Sequence, residues 1–92
     1  MTKPLLFWTR QAALLQGRLN APGFYTRSLI TFVVSGGRVR LHSCALVNAD
    51  YHPGRSFPDV DAAKAFAEQL LADWYERISE GMRHAQKIAD GS

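Results

Sequence analysis

Residues 31–43, TFVVSGGRVRLHS, decide how the rest of the chain is read. A run of β-branched and aromatic residues meets Gly36-Gly37, and beyond the glycines Arg38, Arg40 and His42 alternate with Val39 and Leu41. Alternation with a period of two is the mark of a strand with one buried face. Two glycines between two such runs predict a two-residue hairpin that leads into a second strand over 38–48. In that register Val34 lies opposite Val39, Phe32 opposite Leu41, Ile30 opposite Ser43 and Ser28 opposite Ala45. This face is the core side. The other face carries Arg27, Leu29, Thr31 and Val33 from the first strand, and Arg40, His42, Cys44 and Leu46 from the second. The sequence therefore predicts a hairpin over 24–48 with one oily face and one mixed, basic face.

Outward from the hairpin, Pro22-Gly23 is placed as in a type II turn, Pro53-Gly54 makes a second Pro-Gly turn, and Arg55 to Phe57 reads as a short third strand. Residues 59–80 read as an amphipathic helix. Asp59 sits where a cap belongs, and Ala63, Phe66, Ala67, Leu70, Trp74 and Ile78 form its apolar stripe. An uninterrupted helix to residue 89 would outrun so small a domain, so Gly81 is expected to kink it or to set off a short helix over 82–90. At the other end, PLLFWTRQAALLQ (4–16) reads as a helix, with Leu5, Trp8, Ala12 and Leu15 at helical spacing and Gly17 as its C-terminal cap. The expected fold is one α+β domain, a two-layer sandwich of helix, antiparallel hairpin of two or three strands, and helix.

Ninety-two residues with 47% hydrophobic content suit one small globular core. A lone cysteine, Cys44, excludes an internal disulfide and fits a reducing compartment. With no signal-like or span-length apolar run, the chain reads as a soluble cytoplasmic protein. Its net charge of +3 is unevenly spread: residues 1–49 carry +6 and no acid, residues 50–92 carry −3. Such asymmetry fits an anionic partner for the first half, or internal charge balance within one fold.

The chemistry-bearing residues point to binding. Arg27, Arg38, Arg40 and His42 share the basic face, with Tyr25 at its end. Alternate strand residues stand about 7 Å apart, near the spacing of successive phosphates, and Tyr25 offers a ring on which a base can stack. The alternative reading is an ordinary solvated sheet face. Phe7 and Arg10 make a second candidate, an exposed aromatic beside an arginine, of the kind found in protein-binding patches. His42, His52 and His84 lack metal-site spacing, so no metal or other cofactor is expected. Cys44, Asp50 and His52 can be drawn as a nucleophilic triad, but Cys44 belongs to a strand and His52 to a turn. Asp59 and Asp61 are better helix-start residues than an acid pair. No catalytic set is expected.

Two resemblances bear on this reading. The element order helix, three strands, helix, with the alanine-rich stretch DAAKAFAEQLL, resembles double-stranded RNA-binding domains. Where that family opens its second helix with lysines, this chain reads FPDVDAAK. In scale and style the chain also resembles the small phage-encoded anti-CRISPR proteins that inhibit type I surveillance complexes, through its compact hairpin TFVVSGGRVRLHS and its terminal Ala/Leu/Trp helix. That resemblance implies a non-enzymatic inhibitor acting in the host cytoplasm. It would occupy surfaces that target DNA, guide RNA or a nuclease subunit would use. A free-standing RNA- or DNA-binding module and a small protein–protein adaptor are the other expectations.

Overall fold

The computed structural model describes residues 4–46 and 51–91. It is an α+β domain in which five antiparallel strands run in sequence order as a meander: β1 (Leu6–Gln11), β2 (Leu14–Leu19), β3 (Ile30–Ser35), β4 (Arg38–Cys44) and β5 (Ser56–Phe57). One helix, α1 (Val60–Asp90), follows and covers one face of the sheet.

The N-terminal helix expected over 4–16 is absent, and with it the helix–hairpin–helix layout. Residues 6–19 form a β-hairpin instead, with Leu6 opposite Leu19, Trp8 opposite Gly17 and Gln11 opposite Leu14. The helical stripe Leu5, Trp8, Ala12, Leu15 was a coincidence of spacing: Leu5 is exposed and Ala12 sits in the turn. What folds this stretch is period two, with Leu6 and Trp8 on one strand and Leu15 and Leu19 on the next all turned to the core. Gly17 is no cap. It lies beneath Trp8, where an added Cβ would approach the indole to 3.0 Å and Ile30 to 3.1 Å. Ala12 turns the hairpin at φ 53°, left-handed backbone that costs a residue with a Cβ about 1 kcal/mol. Helix-forming Ala-Ala-Leu-Leu is thus overridden by the sheet it completes.

The central hairpin forms as the glycines predict, with Gly36 and Gly37 at φ 58° and 78°. Val34 pairs with Val39 and Phe32 with Leu41. A bulge between Thr31 and Phe32 then moves the register by one, so that Thr31 meets Ser43 and Ile30 meets Cys44. That slip corrects the facing predicted beyond His42. Cys44 and Leu46 turn inward against the core, whereas Ser43 and Ala45 are exposed. The first strand of this hairpin is also shorter than predicted, since residues 24–29 form turn and irregular backbone before β3 begins.

Both Pro-Gly turns are present, with Gly23 and Gly54 each at φ 87°. The short third strand of the sequence reading appears as β5.

The core lies between sheet and helix. Ile30, Phe32, Val39 and Leu41 meet Ala63, Ala67, Leu70 and Leu71, with Phe32 fully buried and its ring 5.6 Å from that of Phe57. Asp59 caps α1 by accepting the Ala62 N–H at 2.8 Å. The Glu68 carboxylate accepts the backbone N–H groups of Leu5 and Leu6, both at 2.8 Å, and so clamps the start of β1 to the helix. No kink occurs at Gly81. The helix continues unbroken for 31 residues, about 46 Å at 1.5 Å per residue, and accounts for most of the 55 Å long axis.

Candidate functional site

With α1 on one side, the opposite face of the sheet carries no second layer among the described residues. The strand registers lay out its outward residues in rows. Thr9, Gln16, Thr31 and Ser43 form one row, and Gln11, Leu14, Val33, Arg40 and Ser56 form the next. Phe7 and Arg18 face each other at one end, and Ser35 and Arg38 at the other. No carboxylate stands in any of these rows. The acidic residues of the described chain lie on or at the start of α1, where Asp59 caps the helix, Glu68 clamps β1 and Asp73 accepts a hydrogen bond from Gln69.

Arg38, Arg40 and His42 project from β4 into solvent, and none is engaged by a carboxylate among the described residues. Together with Val33, Ser35 and the Gly54 turn they border a shallow depression of about 470 Å³. The bulge sits beside His42, at the point where β4 bends its outward residues away from strict alternation.

Two strands away, Arg18 lies on the same face. Its guanidinium donates to the Thr9 hydroxyl and, at 3.0 Å, to the Gln16 side-chain oxygen. A guanidinium tethered at two points has less rotamer freedom left to lose on binding an anion. Read as the residue after a helix, Arg18 gave no signal. The alternation of Leu15, Gly17 and Leu19 with Leu14, Gln16 and Arg18 was the cue that places it on the outer face.

At the corner of the face Phe7, 47% exposed, meets Tyr25 edge-to-face with ring centroids 5.6 Å apart. The Tyr25 hydroxyl donates to Asn20 at 3.2 Å. Tyr25 therefore joins the face by packing on Phe7 and not, as predicted, as part of a strand. Arg27 also lies in the turn segment, exposed and off the sheet. The Phe7/Arg10 patch does not assemble, because residues of odd and even number on a strand point to opposite sides. Arg10 leaves on the helix side of β1, and its Nε donates to the Ala12 carbonyl at 3.3 Å.

Arg55 is drawn the other way, its guanidinium 4.7 Å from the Phe66 ring centroid and 5.3 Å from that of Phe57. Lys64 lies 5.9 Å from the Trp8 ring centroid on the covered side. These cations serve the packing of helix on sheet.

Cys44 is half-buried, and desolvation raises its thiol above the ordinary value against a smaller lowering by a backbone hydrogen bond at Leu46. A thiol held neutral is a poor nucleophile. Asp50 of the drawn triad lies outside the described residues. Among the described residues no group of three or more His, Cys, Asp or Glu is placed to hold a metal ion, and no helix is long and apolar enough to cross a membrane. No protein-family model matches the chain, and neither a curated protein nor a solved structure matches it.

Proposed function

We propose that this protein is a non-enzymatic binding module whose open sheet face holds a single-stranded nucleic acid. One observation carries the reading: the five-stranded face opposite α1, uncovered among the described residues, presents Arg18, Arg38, Arg40 and His42 with no carboxylate among them, and a Phe7/Tyr25 aromatic pair at its corner. A flat sheet suits unpaired bases, which stack on rings while guanidinium groups track the phosphates. A duplex would instead ask for an element that enters a groove.

Affinity in this reading is electrostatic in bulk and aromatic in detail. Fluorescence anisotropy with labelled single-stranded RNA and DNA homopolymers tests it. Neutralising about four phosphates of a single strand gives a log–log salt slope near −2.8. Phe7→Ala, which removes a stacking ring, weakens binding by about 5- to 100-fold. A flat salt response, or an unchanged affinity for Phe7→Ala, would contradict the proposal.

The same face serves the alternative in which the protein blocks a nucleoprotein complex by occupying it, as the likeness to anti-CRISPR inhibitors implies. That alternative needs no affinity for naked strands. Capture of an intact ribonucleoprotein, with no binding to bare oligonucleotides at low salt, is the outcome that would replace the first reading by the second.

A further inference from the structure

The sheet accounts for only the first half of α1. Ala63, Ala67, Leu70 and Leu71 are buried and Trp74 packs against the core, whereas from 75 to 91 no residue is buried. A solitary projecting stretch of about 16 residues with a glycine in its middle is a poor helix by itself. Its apolar residues are not scattered. Ile78 and Ala85 recur seven apart, Gly81 and Ile88 likewise, and Tyr75 and Met82 flank them, all continuing the stripe that the sheet covers further back. This is the pattern of a helix-pairing seam.

We infer that this projecting half-helix pairs antiparallel with the same segment of a second copy of the chain. The occupant follows from geometry. Because the seam is the outward continuation of the stripe already under the sheet, a parallel partner would run its helix into the space the sheet fills. Only an antiparallel overlap confined to residues 75–91 leaves both sheets in place.

In that overlap residues whose numbers sum to 166 lie level. Ile78 then meets the second copy's Ile88, and Gly81 meets its Ala85, so two small central layers are closed by two large outer ones. An added Cβ at Gly81 meets nothing within 4 Å in the single chain, which leaves that spot open for close approach. Tyr75, Ile78, Met82 and Ile88 are 66%, 40%, 57% and 64% exposed. Counted over two copies, they offer on the order of 1,000 Å², the size at which specific interfaces begin. The charged residues Glu76, Glu80, Arg83 and Lys87 fall on the opposite side of the helix and keep that side in water.

Sedimentation equilibrium of the full chain over a range of concentrations, with no nucleic acid present, tests the inference apart from the binding function. The expected result is a reversible dimer of twice the 10.3 kDa chain mass, and for Ile78→Glu a monomer that still unfolds cooperatively, with a midpoint that no longer depends on protein concentration. A chain that stays monomeric at high micromolar concentration, or an Ile78→Glu variant that still dimerises, would overturn it. Orientation is read by disulfide trapping in a Cys44→Ser background. Gly81→Cys and Ala85→Cys chains mixed together should cross-link with each other faster than either does with itself. Self-linking of Gly81→Cys alone at the higher rate would show a parallel pair and overturn the arrangement.

Discussion

The two faces of the sheet are built from the same strands, yet they obey different rules. On the covered face Phe32, Val39 and Leu41 are almost wholly removed from water and each fills a place that few other side chains could occupy. On the open face Arg38, Arg40 and His42 alternate with those residues along β4 and touch little of the protein. Stability is concentrated on one side and chemistry on the other. A substitution at a side chain filling the covered face should therefore affect the fold, and one at an exposed side chain of the open face the partner.

The largest break in that contrast comes at Phe32. Truncation by Phe32→Ala removes a fully buried ring packed against Phe57 and Trp8, and should lower stability by about 3–5 kcal/mol in chemical denaturation. A smaller effect is expected where helix and sheet edge are tied. Glu68→Ala strips two backbone donors of a charged acceptor and should cost about 2 kcal/mol, with the loss of hydrogen-exchange protection concentrated at the start of β1. If the loss were uniform across all five strands, Glu68 would be acting on the core as a whole rather than as a local clamp.

What the sequence disclosed followed the strength of its local signals. Gly36-Gly37 between alternating runs gave the central hairpin, the two Pro-Gly pairs gave their turns, and Asp59 ahead of an apolar stripe gave the helix start. The N-terminal hairpin was hidden because its turn is Ala12-Ala13, with no glycine or asparagine to announce a positive φ, and its residues favour helices in isolation. The pairing of β2 with β3 is what overrides that preference, and no window of a dozen residues contains it. The bulge after Leu41 was equally silent, and it alone decides that Cys44 faces in. For the candidate site, Arg38, Arg40 and His42 were legible from alternation. Arg18 was not, since its place depends on the hidden hairpin, and Arg10 was assigned to the wrong side for the same reason.

The smallest expected effect on stability belongs to the open face, and there the account is tested most directly. Arg38→Glu/Arg40→Glu should leave the denaturation midpoint within the shift of about 0.5 kcal/mol typical of surface changes. The same double variant should lose at least about tenfold in affinity for single-stranded nucleic acid at low salt, with a shallower salt slope. Unchanged affinity at unchanged stability would contradict the assignment of this face as the binding surface.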